Sequence, residues 1–582
     1  MRQARPRLQI AQRLSTLEAA FARRAVMPAA APAIPRRNVI DVEIFNTLAA
    51  HNVTPAALST DQEFVRRIYL DLTGRIPSPD DVRNFLANGS PGRRDDLIDR
   101  LIYSPEFEDR WIMWLGDLLQ NASAATNVNR RVGGRDAFYN WIKGSVVANK
   151  SLKEIAHEAI AATGNSFDVR TGAANFAVSA TTPMGPVQDM YDTMLVRTAT
   201  AFMGLAYYDC LLCHGGRGHL DQISLWGSRT TRGEAQQMAA FFSRMRIRRD
   251  AAAQGEPLYN SYNVTNAPSG TYDLNTNYGN RPNRTPLGNV SNLTPQYRLG
   301  GTPAAGANWR EAFAAEMTAD PMFARNIVNR LWKHFFGLAL VDPVDTLDPA
   351  RLDPSNPPPE PWTLQATHPE LLEQLARELT RGGFNLREIV RTITASSAYQ
   401  LSSRYSGEWK YSSVPLFARH YPRRLEAEEV ADAISKATGV MGNYNIGWAN
   451  PVSWAMQLPE TGVPRGAVGN FLDSFFRGNR DTRPRSQSGS ILQQLNLMND
   501  TFVLNRIRVS ASPTLQAVSR LAGDGAAVDE MFLLFLSRYP DDYERGQAME
   551  YLRKAASPAA RNAAIEDLAW ACVNKVDFLF SY

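Results

Sequence analysis

Thr60-Asp61-Gln62-Glu63-Phe64-Val65-Arg66-Arg67-Ile68-Tyr69-Leu70-Asp71-Leu72-Thr73-Gly74 is the stretch on which the fold turns. Thr60 and Glu63 have the spacing of a capping box, in which each side chain accepts the other residue's backbone N–H. Phe64, Val65, Ile68, Tyr69 and Leu72 then share one face at the helical period, and Gly74 supplies a stop. The stretch predicts a short, capped, amphipathic helix. The same grammar recurs on its C-terminal side. Ser78-Pro79-Asp80-Asp81 offers a cap, a proline at the first helical position and acids in the first turn. Leu97, Ile98, Leu101 and Ile102 give another apolar face, and Ser104-Pro105-Glu106 restarts the chain toward Trp111 and Trp114. Ser151 and Glu154 form a further capping box before Ile155 and Ile160.

Farther along, the pattern changes twice. Residues 164–186 are polar, carry Gly and Pro, and read as a loop. A helix is expected from about Val187 to Tyr208, running into Cys210. Another is expected from Gly233 to about Arg246, carrying Met238, Phe241, Phe242 and Met245. Residues 250–306 are rich in Asn, Gly, Pro, Thr and Tyr and lack a helical period. They read as an irregular linker or insertion with room for one or two short strands, and the domain boundary falls there. Helices return at Met322 to Phe336, stopped by Gly337, then at His368-Pro369-Glu370 to about Arg381, and at Leu386 to Tyr399. More follow near 423–438, 488–506, 513–522, 527–538, 541–556 and 560–580. The expectation is a mainly α protein of two helical domains joined by an irregular Asn/Gly/Pro-rich segment, with at most minor short strands. A disordered leader spans 1–39, the first domain 40–249, the irregular segment 250–306 and the second domain 307–582.

Composition sets bounds. The chain has 582 residues, 44% hydrophobic and 21% charged, enough for ordinary packed cores. No apolar run approaches the roughly 18 residues of a membrane helix, so no transmembrane segment is expected. The net charge is +5 and the pI about 9.0. The arginines alternate with carboxylates, as in Arg93-Arg94-Asp95-Asp96. Neither a basic stripe nor an aromatic-basic sheet motif is present, which argues against nucleic acid as a partner. Residues 1–36 are arginine-rich and end near Met27-Pro28-Ala29-Ala30-Ala31-Pro32-Ala33-Ile34-Pro35, without the apolar core of a secretory signal.

The sharpest chemistry sits in two of the three cysteines. Cys210-Leu211-Leu212-Cys213-His214 is the pattern to which haem c is covalently attached. Two thiols at this spacing reach the two vinyl groups of one porphyrin edge, and the histidine that follows is placed to ligate the iron. Cys210 and Cys213 are thus candidate attachment residues and His214 the candidate proximal iron ligand. Met238, like Met245, is a candidate distal ligand, with core packing as its plainer account. His219 is a further candidate metal ligand, though only five residues past His214 it reaches the opposite haem face with difficulty. It could instead bond a propionate or Asp221. Two other readings of the motif stay open. The cysteines could form a disulfide or redox dithiol, or hold zinc together with His214 and His219. Finger spacing and a βαβ context are both absent. The loop Gly215 to Asp221 lacks the Lys-Ser/Thr of a phosphate loop, and Arg217 reads as solvated. His334 reads as packed on its helix. Asp342, Asp345 and Asp348 read as turn formers, and Glu426, Glu428 and Glu429 as a solvated face. Cys572 reads as a buried thiol. No nucleophile elbow or dinucleotide fingerprint is present, so no catalytic residue is assigned and enzymatic activity is left open.

Phe64 to Pro77, Leu97 to Trp111 and the Cys210 motif resemble the first half of a bacterial two-domain family. It is named for planctomycete cytochrome-associated proteins, with domains of unknown function 1549 and 1553. Ala324 to Gly337, Val341 to Asp345, His368 to Leu372, Arg423 to Glu428, Gln494 to Asn499 and Phe532 to Tyr539 resemble its second half. The resemblance covers most of 40–582 and skips 250–306. It implies a protein that is exported, periplasmic or secreted, and found with cytochrome c domains, in a family whose biochemical role is not established. Many members carry a second histidine two residues after the haem-type histidine. Here Gly216 stands there. The expected function is an exported c-type haem-binding protein with an electron-transfer or redox role and a redox partner in the cell envelope. The alternative is a non-haem envelope binding or scaffold protein with a Cys-x-x-Cys disulfide or metal site.

Overall fold

The computed structural model describes residues 10, 34–124, 130–182, 184–447 and 450–582. Apart from residues 10 and 34–39, the leader expected over 1–39 lies outside the described residues. The fold is mainly α-helical, with a few short strands. Among the described residues no helix is long and apolar enough to cross a membrane.

The caps form as the sequence predicts. Helix α1 (Asp61–Thr73) starts on a complete Thr60/Glu63 capping box and ends at Gly74 in the left-handed region. Complete boxes also open the helices after Ser78 and Ser151. Helix α2 (Pro105–Leu118) starts at Ser104, whose side chain accepts the Phe107 N–H.

The apolar period predicts one buried face for α1, yet every residue from Glu63 to Thr73 is buried. Two hydrophobic clusters meet around this helix. One gathers side chains between residues 40 and 421, with Ile10 and Leu533. The other gathers those from 425 to 582 and adds Leu70, Ile76 and Met113. Polar side chains of α1 therefore need partners inside the protein. Arg66 donates to the main-chain oxygens of Phe535, Asp577, Phe578 and Phe580. Arg67 donates to those of Tyr399, Leu401 and Tyr582. Asp71 accepts from the Tyr399 hydroxyl at 2.9 Å and from Arg423 at 3.0 Å, and Arg423 also forks onto Glu429 at 2.6 and 2.8 Å.

Three expectations shift between residues 164 and 250. Residues 164–186 hold strand β1 (Gly164–Asn165), a 3-10 turn and a helical turn, and residues 172–180 are buried. Small residues pack here in pieces too short to show a period. The helix expected to run from 187 into Cys210 is α3 (Val187–Thr198). It continues as a π-turn and stops at Gly204, at φ 69°. A Cβ at Gly204 would lie 2.2 Å from Leu347 Cδ1 and 2.9 Å from Asn326 Oδ1, so the chain turns against the other half there. A new short helix, α4 (Tyr208–Leu211), then carries the motif. Helix α5 (Arg232–Ala240) ends before Met245, which opens strand β2 (Met245–Arg249).

Residues 250–306 are irregular but anchored. Strand β3 (Tyr262–Asn266) lies antiparallel between β1 and β2, and Tyr272–Asp273 pairs with Asn292–Leu293. In the second half, α6 (Pro321–Phe336) stops at Gly337, at φ 73°. The region expected near 423–438 contains α7 (Ala427–Thr438). Glu428 and Glu429 are buried rather than solvated, because Arg485 and Arg423 reach them from elsewhere in the chain. Glu426 pairs with Arg110 at 2.9 Å. Asp348 is a turn former and more: its carboxylate also accepts the N–H groups of Leu225 and Trp226 at 2.6 and 3.0 Å. Cys572 is buried, and burial pushes its thiol up to about 12.

His334 is packed, as its helix position suggests. Its Nε2–H donates to the Asp71 carbonyl at 3.0 Å, and Nδ1 faces Arg110 at 3.4 Å. Burial, then the charges of Arg110 and Arg423, pull it down to about 4. Burial does the same to His368.

Two outcomes follow from this interior. Arg423→Ala leaves Asp71 and Glu429 buried without their shared cation, a change that costs about 3–5 kcal/mol, so the urea midpoint should fall steeply. Between about pH 4 and 6.5 the unfolded chain binds the protons that folded His334 and His368 refuse, so these groups make stability rise with pH there. Urea midpoints at pH 4.5 and 6.5 should differ less for His334→Gln than for the wild type.

Candidate functional site

The motif is one helical turn set on two leucines. The N–H groups of Cys213 and His214 both donate to the Cys210 carbonyl, at 3.1 and 3.0 Å. Leu211 and Leu212 are fully buried, which turns the other side of the coil outward. Cys210 is exposed, Cys213 is half-buried, and His214 is exposed.

The loop that follows is fixed by its glycines. The Gly216 N–H donates to the Thr230 carbonyl at 2.9 Å. A Cβ at Gly216 would sit 1.6 Å from the Gly227 carbonyl oxygen, so no side chain fits. Gly218, at φ 85°, donates its N–H to Asp221 Oδ2 at 3.0 Å. The loop returns His219 over His214, and the two rings stack with centroids 4.6 Å apart. Arg217 is exposed, as expected.

The motif is held from outside by the irregular segment. Arg281 donates Nη1 to the Asp209 carbonyl at 3.1 Å and to Cys213 Sγ at 3.3 Å, and Nη2 to Asp209 Oδ1 at 2.9 Å. Its Nε lies 3.3 Å from Asp192. Burial opposes the charge of Arg281, but Asp192, Asp209 and the Cys213 sulfur outweigh it and hold its ionisation above the usual value. Arg284 pairs with Asp189 and Asp192 at 2.6 and 2.8 Å. Arg232 donates to the Leu212 carbonyl at 3.0 Å and to those of Pro282 and Asn283. Sequence reasoning did not find these arginines. The available signal was slight: Asp189 and Asp192 are three apart on a helix, and so are Arg281 and Arg284 in the segment that meets it.

The structure thus brings Cys210, Cys213, His214 and His219 together, and Met238 elsewhere. Met238 is buried, its sulfur accepts the Arg298 N–H at 3.1 Å, and it lines a separate cavity with Tyr208 and Trp226. Met245 is buried at the start of β2. Among the described residues no group of three or more His, Cys, Asp or Glu side chains is arranged to hold a metal ion.

Beside Cys213 opens a cleft of about 1040 Å³. Cys213, Asp209 and Arg281 line it, with Arg197 from α3, Arg330 from α6 and Arg480 from the loop after residue 474. A smaller cavity of about 300 Å³, containing His334 and Glu426, shares Asp117, Leu118 and Arg330 with it. The cleft lies where the two helical halves face each other, and its lining is mixed in charge.

Two family models match the chain. PSCyt2, a protein of unknown function (DUF1549), matches residues 39–246, and PSD1, a protein of unknown function (DUF1553), matches residues 309–552. No curated protein and no solved structure matches.

The Gly216 contact gives a direct test. Gly216→Ala has to push Gly227 away, which should lower stability by about 1–3 kcal/mol as overpacking does. It should also loosen the turn, so that Cys213 reacts faster with a thiol reagent while buried Cys572 stays slow.

Proposed function

The chain belongs to the two-domain family whose halves are PSCyt2 and PSD1, and on that premise we propose that Cys210, Cys213 and His214 attach a haem c in an exported redox protein. The observation that carries this reading is the outward face of one helical turn. It offers one exposed and one half-buried cysteine and, next in sequence, an exposed imidazole, while the intervening leucines anchor the turn in the core. The donor set fits the group: thiols for the porphyrin edge and a nitrogen for the iron. The adjoining cleft, at about 1040 Å³, is as large as the roomiest cofactor pockets, about 300–1000 Å³.

Bound there, haem supplies one-electron chemistry at its iron. The protein's own residues do the positioning. Arg281 fixes Cys213 Sγ and the Asp209 carbonyl, so both ends of the turn are held before attachment. His219 covers the His214 ring and restricts its rotation. The two rings stack rather than pointing their nitrogens at one shared point. In this reading His214 would hold the group and His219 would orient His214. The expected setting is the cell envelope, with a redox partner protein there.

The test is intact mass. Full-length protein exported from cells with the haem-attachment machinery should gain the mass of one haem, and Cys210→Ser/Cys213→Ser should gain none. His214→Ala should keep the added mass but show an altered Soret band. A colourless wild-type protein at its polypeptide mass would overturn the reading and leave a non-haem dithiol, disulfide or metal site.

A further inference from the structure

Five arginines and five aspartates line the cleft beside Cys213, but the close pairing among them is uneven. Three of the arginines are tied to carboxylates. Arg281 is tied to Asp192 and Asp209, Arg480 to Asp117, and Arg485 to Asp117 and Glu428. Arg197 and Arg330 differ. Arg330 donates Nε to the Asn326 side-chain oxygen at 3.0 Å and Nη2 to the Thr200 carbonyl at 2.8 Å, both neutral acceptors. Arg197 donates to the Gln120 side-chain oxygen and comes no closer than 4.0 Å to Asp481. Among the described residues its buried Nε has no hydrogen-bond partner. Behind Gln120 lies Arg130, which is fully buried. Among the described residues it donates to the carbonyls of Asn175, Gln120 and Ala122, and Nη2 has no hydrogen-bond partner.

Burial pulls the ionisation of Arg330 down to about 10. Burial, with Arg197 adding to it, pulls Arg130 down to about 9. Burial also lowers Arg197. Guanidinium does not deprotonate in proteins, so this downward pull registers desolvated charge that the neighbours do not offset. The nearby acids are Asp481 for Arg197 and Arg130, Asp345 for Arg330, and Glu460 for Arg130. A guanidinium fork matches planar and tetrahedral oxyanions geometrically, and such charge-assisted bonds are about twice as strong as neutral ones.

We propose that Arg197 and Arg330 form a subsite for an oxyanion group, carboxylate, sulfate or phosphate, of an acidic ligand in this cleft, with Arg130 as a supporting charge behind it. The subsite stands apart from haem attachment. Its occupant is either a soluble acidic ligand or a propionate of a haem held at Cys210 and Cys213, and the two sources can be told apart.

The probes are sodium sulfate, sodium phosphate and succinate, titrated into the full chain at constant ionic strength and followed by thermal unfolding and calorimetry. The haem-free Cys210→Ser/Cys213→Ser protein should bind at least one probe saturably. Arg197→Gln and Arg330→Gln should each weaken that binding about tenfold or more. Arg170→Gln, at an exposed arginine, should leave it unchanged. Thr193→Glu keeps both arginines and adds a carboxylate to the cleft wall. It should weaken binding equally, and it decides the matter if an arginine variant does not fold. Protein carrying haem that still binds the probe points to a soluble ligand, and protein that binds only when haem-free points to a propionate in the subsite. No saturable binding by any of the three anions, or variants that bind as tightly as the wild type, would overturn the proposal.

Discussion

The fold depends on hiding two arginines of one helix. Arg66 and Arg67 stand side by side on α1 at the seam between both hydrophobic clusters, out of reach of water. A buried charge without partners costs several kcal/mol, so the chain has to bring acceptors to it. It does so with main-chain oxygens from the 399–401 and 535–582 regions, and with the Asp71, Arg423 and Glu429 cluster beside them. A helix from the PSCyt2 region is thereby solvated by the PSD1 region and the residues that follow it. The two matched segments are distinct in sequence, but their interiors are not.

That shared interior sets the geometry of the cleft. Asp117 on α2 takes both Arg480 and Arg485, and Arg485 also reaches Glu428 on α7. The far wall is thus pinned by ion pairs that cross the halves. On the near wall, Gly204 stops the helix that the apolar period would carry onward, and this swings α4 and its sulfurs to the rim. The motif sits beside the cleft because of a packing contact with Leu347 and Asn326, residues that have no part in its chemistry.

Local rules made much of this legible. Caps at Thr60, Ser78 and Ser151 and stops at Gly74 and Gly337 involve neighbours within a turn, and sequence reasoning places them correctly. The closeness of Cys210, Cys213 and His214 on one turn is legible for the same reason, since their spacing is local. What escaped reading depends on distant partners. Glu428 and Glu429 look like a solvated helix face until Arg485 and Arg423 arrive. The break at Gly204 is masked by apolar residues that keep the helical period through Leu205. The alternation in Met245 to Arg249 was present in the sequence but is only five residues long, too short to outweigh the helix before it. Arg281, Arg197 and Arg330 come from three separate segments, and no spacing rule joins them.

Gly216 shows how a carbonyl can restrict what the loop after His214 is able to become. With the Gly227 oxygen 1.6 Å from where a Cβ would stand, that position is closed to every side chain, histidine included. A lineage with this backbone can carry a second imidazole elsewhere in the loop, as it does at His219, but not at position 216 unless the 227–230 turn is first rebuilt. Main-chain packing therefore narrows the side chains this loop can present before selection on its chemistry can act.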